Sequence, residues 1–416
     1  MSERIVIKEI CEVYDGPHAT PKKTVDGPVY LGIDAITDDG KINAKEFAHL
    51  SEEDYIKWTK RVTPQYGDIV FSYEATLGRY ALIPKDFYGC LGRRLAIIRN
   101  VSKDIDTLWL YYYFLSPEWK QFIQSKIIKG STVNRISVED FPTYTVPNIS
   151  IKVQCKIANI LSKIDEKIAL NNNINDNLEQ QVAAIYDYWF TQFDFPNENG
   201  DPYCSSGGQM VWNDTLKKNI PERWKVESVI SNRLASVIKP GIEVFDTKTY
   251  LATADVKGTT LSVGTIIDYG GRESRANMQP SINSVWFAKM KNSIKHLNLN
   301  KEMQPFISNT ILSTGFCGLQ CSEESFEYIA SYIANPYFEI HKDMLAHGAT
   351  QEAINNDDLA GVHIIIPSDA VLHAYHEITQ PIYAQISKNI CENQELVKLR
   401  DWLLPMLMNG QATISD

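Results

Sequence analysis

The sequence predicts an α+β protein built twice: two similar globules of mixed α/β structure, separated by two long helices that pair as an antiparallel coiled coil with pseudo-two-fold symmetry. Three observations predict this. The chain resembles itself when displaced by 218 positions, both copies close on an apolar heptad seam, and both globules mix short strand signals with helix signals.

The repeat is clearest where GSTVNRISVEDF (130–141) falls on GATQEAINNDDL (348–359). Gly130, Thr132, Ile136 and Asp140 match Gly348, Thr350, Ile354 and Asp358. The match runs on without a gap through Ser150/Ser368 and Ile168/Ile386 to Leu178/Leu396. It gives twelve identities in 49 positions, where composition alone gives roughly three. Upstream, YLGIDAI (30–36) resembles YLATADV (250–256).

In each tail, apolar residues recur at alternating steps of four and three, the pattern of a coiled coil. The first seam reads Ile157, Leu161, Ile164, Ile168, Asn171, Asn175, Leu178, Val182, Ile185 and Trp189. The second reads Tyr375, Thr379, Ile382, Ile386, Asn389, Asn393, Leu396, Arg400, Leu403 and Leu407. Both carry asparagine at the same two core positions. A buried asparagine is costly unless paired, and so it fixes register. An antiparallel pairing about a point near Asn173 and Cys391 sets Asn171 against Asn393 and Asn175 against Asn389, and carries the globules to opposite ends of a rod. Pro381 is expected to start or kink the second helix. The boundaries expected are a first globule over 1–150, a first helix over 151–194, a linker over 195–222, a second globule over 223–368, and a second helix with tail over 369–416. The linker is rich in Asn, Gly, Pro and Ser and reads as irregular.

Within the first globule, GDIVFSYEA (67–75), RYALIP (79–84) and RLAIIRN (94–100) read as strands. DTLWLYYYFLSPEWKQFIQS (106–125) reads as a helix interrupted at Pro117. SVWFAKM (284–290) and SFEYIASYIANPYFEIHKDML (325–345) hold comparable places in the second globule.

The 416 residues suffice for two to three domains at roughly 150 residues each, and 44% are apolar. The net charge of −10 excludes a globally basic DNA-coating protein. Seven scattered cysteines suit a reducing, cytoplasmic setting better than a disulfide framework. The MSERIVIKEI start has no apolar core of a signal peptide, and no apolar run is long enough to span a membrane. No catalytic or metal site emerges. Cys317 with Cys321, and His373 with His376, are lone pairs without a second half. NPYF (335–338) lacks the second proline of an adenine-methyltransferase motif and sits in a helical context. No glycine-rich nucleotide or S-adenosylmethionine loop follows a first strand.

Charge is instead local. Residues 79–103 carry Arg79, Lys85, Arg93, Arg94, Arg99 and Lys103 against one Asp86. Residues 272–301 carry Arg272, Arg275, Lys289, Lys291, Lys295 and Lys301 against one Glu273. Each reads singly as a solvated face; paired in a duplicated chain, they read as two phosphate-facing surfaces. Lys22 and Lys23 join them as candidates. The loops KGSTVNRIS (129–137) and HGATQEAIN (347–355) add Thr132, Asn134 and Arg135, and Thr350 and Gln351, side chains of types that read base edges. A plain helix end followed by a turn reads those loops equally well.

The alternation of two globules with two similar helices is joined by IANILSKIDEKIALNNNINDNLEQQVAAIYDYWFTQF (157–193) and a closing LRDWLLPMLMNGQ (399–411). Together they resemble the specificity subunit of a type I restriction–modification system, over nearly the whole chain. That resemblance implies two target recognition domains, each reading half of a split double-stranded DNA site, and a coiled coil that sets the gap. It implies two adenine-N6 methyltransferase subunits docked on the coil, supplying S-adenosylmethionine chemistry, and a restriction subunit supplying ATP- and Mg-dependent translocation and cleavage. The chain itself is expected to be non-catalytic, with no cofactor of its own. The acidic net charge and Arg400 in the second seam depart from the simplest version of that pattern. Docking candidates are the bulky coil ends: Tyr186, Trp189 and Phe190 on one, and Trp402, Leu403 and Met406 on the other. The other way to read those ends is packing against an adjacent globule.

The competing class is a non-catalytic protein scaffold with two binding lobes on a helical ruler. A third, a fragment of a fused methyltransferase, is disfavoured by the missing cofactor loop. Replacing Arg93 and Arg94 together with Ala is expected to weaken DNA binding uniformly if they touch phosphates, or to relax preference in one half-site if they read bases. Affinity measured across a panel of target variants separates these outcomes, and no change in either removes this stretch from the interface.

Overall fold

The computed structural model describes residues 3–130, 133–257, 260–262, 264–348 and 352–411. The chain forms two compact units, residues 1–166 with 397–416, and residues 167–396. Both divisions fall inside the two long helices, Ile151–Tyr186 and Asp369–Met408. Among the described residues no helix is long and apolar enough to cross a membrane.

In the first unit a four-stranded antiparallel sheet has the order Cys11–Asp15, Leu95–Asn100, Ile69–Ser72, Tyr80–Leu82. Beside it lies a sheet of Ala48–His49, Thr24–Leu31 and Gly89–Leu91, the last two parallel. The second unit repeats the scheme. Its antiparallel sheet runs Ala235–Val237, Phe316–Cys321, Ser284–Ala288, His296–Leu299. Its companion sheet places Lys248–Leu251 parallel to Thr310–Ser313, with Thr265–Ile267 and Ala276–Met278 on the edges. The two units therefore share strand order and direction in the antiparallel sheet and in three strands of the companion sheet, where the second unit adds Ala276–Met278 on one edge. The short resemblance of YLGIDAI to YLATADV marks the same place in each: the end of the parallel-paired strand and the one-turn helix after it, Ile33–Ala35 or Thr253–Asp255.

The core strands form on the apolar runs that the sequence marks, buried on both faces, and in each globule a helix pair breaks just before a proline. Thr107–Leu115 ends before Ser116, whose hydroxyl caps the next helix, Pro117–Lys126, by accepting from Trp119 N–H at 3.3 Å. Asn335 does the same for Pro336–Leu345, accepting from Tyr337 N–H at 2.9 Å. Proline suits the first helical turn because its missing N–H has no partner there anyway. NPYF is thus a helix start. These helices cover the sheets with buried aromatic residues. In the first unit Phe114, Phe122 and Phe141 surround Trp119, whose indole N–H donates to Tyr80 Oη at 2.8 Å.

The long helices bury their seams. Ile157, Leu161, Ile164, Ile168, Asn171, Asn175, Val182 and Trp189 are all buried on the first, and Tyr375, Thr379, Ile386, Asn389 and Leu407 on the second. Within the second unit Asn171 Nδ2 donates to Asn393 Oδ1 at 2.9 Å, and Asn389 Nδ2 donates to Asn175 Oδ1 at 2.8 Å. Positions fall on one helix as they rise on the other, so these segments are antiparallel. Asn171 is 0% exposed, and Asn175 and Asn389 are 4% exposed. Such amides cannot be left to water, so a slipped register, which sets them against Ile386 or Ile168, leaves them unpaired at a cost of about 1–3 kcal/mol each. Asn172, Glu392 and Lys167 extend the layer: Glu392 accepts from Asn171 at 2.7 Å and lies 3.0 Å from Lys167.

Arg400 is reconciled within the first unit. It donates to Asp165 at 2.9 Å, and the other Asp165 oxygen accepts from Tyr112 Oη at 2.7 Å. Burial opposes the guanidinium charge, yet Asp165 and Asp401 hold its pKa above the ordinary arginine value.

Three expectations are corrected. Pro381 does not start the second helix, which begins at Asp369 and runs through the proline, its packing against the first helix offsetting the lost backbone hydrogen bond and the ring clash. The stretch 195–222 is folded: Met210–Asn213 and Lys218–Pro221 form a hairpin, Ile220 is buried, and Phe195 stacks between Tyr203 and Trp224. Tyr186, Trp189 and Phe190 are not a free docking face. They are buried against Trp224, Tyr328 and Tyr375 in the core of their own unit, where their apolar area is removed from water. Of the other set, Trp402 is exposed while Leu403 and Met406 are half-buried. Phe190→Ala is expected to cost about 3–5 kcal/mol, and Trp402→Ala less than about 0.5 kcal/mol. Denaturant unfolding of the two variants checks this, and equal effects would contradict the burial.

Candidate nucleic-acid interface

Each unit builds one platform from three segments, and the backbone hydrogen bonds that join them are the same in both. In the first unit, Tyr73 N–H donates to the Arg94 carbonyl at 3.1 Å, and Ile136 N–H donates to the Tyr73 carbonyl at 2.8 Å. In the second, Lys289 N–H donates to the Gly315 carbonyl at 2.9 Å, and Ile354 N–H donates to the Lys289 carbonyl at 3.0 Å. The three segments are the turn after the parallel-paired strand, the loop that closes the central hairpin, and the polar loop after the helices. That polar loop folds on itself through Ile128 with Arg135, or His347 with Ala353. Its isoleucine anchor, Ile136 or Ile354, is buried. Its glycine has a backbone reason to be glycine: a Cβ at Gly130 would lie 2.3 Å from the Val133 carbonyl oxygen, and Gly348 has φ +141°. The shared spacing Gly…Ile…Asp between the copies accompanies a common anchor, the buried isoleucine bonded to the hairpin loop.

The platform gathers some of the expected side chains. Arg93, Asn134 and Arg135 stand exposed on the first, and Arg94 sits half-buried with Nε 3.7 Å from Glu74 Oε2. On the second, Arg275 is exposed with its carbonyl accepting from Thr314 N–H at 2.8 Å. Lys289 lies in the junction itself, Lys291 pairs with Glu352 at 2.8 Å, and Lys295 Nζ donates to the Thr253 carbonyl. Thr132, Thr350 and Gln351 lie outside the described residues.

Others are committed elsewhere. Arg79 makes a two-pronged pair with Asp38 at 2.6 and 3.0 Å and donates to the Ile36 carbonyl. Arg272 lies over the Tyr269 ring at 4.0 Å and donates to that residue's carbonyl. Arg99 grips Asp68 at 2.7 and 2.8 Å. Lys22 and Lys23 stand exposed on the separate loop before Thr24–Leu31. The acidic partners Asp38, Asp68, Glu74 and Glu352 are missed by sequence reasoning, because each lies far along the chain from the cation it meets. Of the lone thiol and imidazole pairs, burial pushes Cys317 up to about 12 and Cys321 higher still, while His376 pairs with Glu327 at 2.7 Å.

The comparisons with known proteins agree with this duplicated plan. Residues 2–180 match the model of the type I restriction modification DNA specificity domain. The chain is 24% identical over 380 residues to the type I restriction enzyme MjaIX specificity subunit of Methanocaldococcus jannaschii, covering 88% of this chain and 82% of that protein. It is 21% identical over 399 residues to the type I restriction enzyme HindI specificity subunit of Haemophilus influenzae, covering 83% and 86%. The solved S subunit of a type I restriction–modification system from M. genitalium has the same fold, with a TM-score of 0.53 at 13% identity over 99% of this chain and 96% of that one.

The division between committed and displayed cations can be tested. Arg99→Ala leaves the buried Asp68 carboxylate without its partner and is expected to lower stability by roughly 1.5–3 kcal/mol, with the affinity for DNA retained. Paired unfolding and DNA-binding measurements check this, and a variant of normal stability with weakened binding would return Arg99 to the interface.

Proposed function

We propose that the chain belongs to the type I restriction–modification DNA specificity family, whose domain model matches residues 2–180, and that it is the sequence-recognition subunit of a type I complex. Each unit reads one half of a split target in double-stranded DNA, and the paired helices set the gap between the halves. The chain carries no chemistry of its own. Methyltransferase subunits, two in this reading, bind S-adenosylmethionine and modify adenine at N6, and a restriction subunit uses ATP.

The observation that carries the reading is the twice-built platform. The same three segments, joined by the same two hydrogen bonds, recur in both units with different side chains displayed on them. A protein that reads one continuous site needs one such surface. Two surfaces with a common frame and unlike side chains suit an asymmetric, two-part target. The local clusters of arginine and lysine supply phosphate affinity even though the whole chain is acidic, because the field of a few nearby cations decides at contact.

The test is to assemble the chain with an adenine methyltransferase partner and map the methylated adenines. The expected product is a bipartite asymmetric motif. Inserting or deleting residues in the helical pair is expected to change the gap and leave both half-sites intact. DNA binding by the complex is expected to weaken steeply with ionic strength. An unchanged gap contradicts the spacing role, and salt-insensitive assembly with no methylated motif returns the chain to a protein scaffold.

A further inference from the structure

We propose that Arg94 in the first unit and Arg275 in the second are the base-reading arginines, each presenting its guanidinium at the same turn of its platform to a guanine edge. The proposal rests on the recognition role above and names the residues that discriminate within it.

The two arginines are not equivalent in sequence. Arg94 is part of the turn itself: its carbonyl is the acceptor that joins the turn to Tyr73. The residue with that backbone role in the second unit is Gly315, which carries no side chain. There the guanidinium comes from another loop. Arg275 Nη2 lies 3.6 Å from the point that a Cβ on Gly315 would occupy, and its backbone carbonyl accepts from the neighbouring Thr314. Two different chain positions thus bring an arginine side chain to the same turn of a duplicated frame. A surface that only neutralised phosphate would not need this, since lysines anywhere nearby serve equally.

The backbone gives an independent reason. Arg94 has φ +75°, the left-handed region that favours glycine. Strain of this kind persists where the surroundings impose it, and it collects at ligand sites. Its side chain is held too. Glu74 Oε2 lies 3.7 Å from Arg94 Nε, and that nitrogen is buried without a hydrogen bond among the described residues. The Glu74 carboxylate orients the guanidinium by charge without a hydrogen bond at Nε, and the outer nitrogens are the ones suited to a two-pronged contact with guanine O6 and N7. Glu74 is then a positioning residue. Arg93, exposed beside it, acts on phosphate.

The test uses the full chain assembled with a methyltransferase partner, and it reads the methylated motif together with thermal unfolding of the chain. Arg94→Gly relieves the left-handed strain, so its melting temperature is expected to stay or rise. Its preference for guanine at one position of one half-site is expected to fall on the order of 10–100-fold, with the other half-site untouched. Arg275→Ala is expected to relax one position of the opposite half-site. Glu74→Gln is expected to loosen the same position as R94G, by less, at unchanged melting temperature. Arg93→Ala is expected to weaken all targets alike. A wild-type complex with no bipartite motif removes the recognition role and this proposal with it. A wild-type bipartite motif that R94G and R275A leave unchanged overturns this proposal alone, as does relaxation confined to a non-guanine position.

Discussion

The pairing of buried amides between the long helices is the constraint on which the rest depends. Leucine and isoleucine seams tolerate sliding, because one apolar contact resembles the next. Asn171 with Asn393, and Asn175 with Asn389, do not, since a carboxamide out of water needs a specific partner. That register decides which side chains each globule receives. Leu404, Leu407 and Met408 of the second helix pack with Ile157 and Leu161 in the core of the first unit. Val182 and Tyr186 of the first helix pack with Tyr375 and Tyr383 in the core of the second. Each unit is completed by a helix that arrives from the far end of the sequence.

Duplication fixed the frame and left the contents free. Tyr112 meets Asp165 in the first unit at 2.7 Å, and Ser331 meets Tyr383 at the matching place in the second at 3.0 Å. The acid in the first pair accommodates Arg400, whose counterpart in the other helix is Val182. A charge brought into the seam was answered by a charge on the partner helix, and the same position elsewhere stayed apolar. The platforms vary in the same manner, with backbone joints kept and the displayed groups exchanged.

Much of this was legible in the sequence. The offset of 218, the asparagines shared by the seams and the Gly…Ile…Asp spacing all report backbone geometry, and geometry imposes local periodicity that a reader can count. Strands at Ile69–Ser72, Tyr80–Leu82 and Leu95–Asn100 fell on the short apolar runs that mark them in the sequence. What stayed hidden depends on partners distant in the chain. Nothing near Arg79 announces Asp38, and nothing near Phe190 announces Trp224 and Tyr328. An aromatic cluster at a helix end reads the same whether it faces a partner or a neighbouring sheet. The hairpin inside 195–222 was masked by turn residues that serve a folded segment as well as a loose one. Pro381 misled as a helix start because propensity is a local penalty, and a helix of 40 residues held by tertiary contacts continues through it.

The strands that bracket each globule lie side by side: Arg4–Val6 pairs with Thr145–Pro147, and Lys225–Ser228 pairs with His363–Ile366. The chain leaves each lobe where it came in, so the lobe hangs from its helices like a pendant on a clasp. Its interior can lengthen, shrink or be exchanged wholesale while the clasp stays shut, and new tastes for sequence can be acquired without disturbing the hinge-points of the machine that carries them.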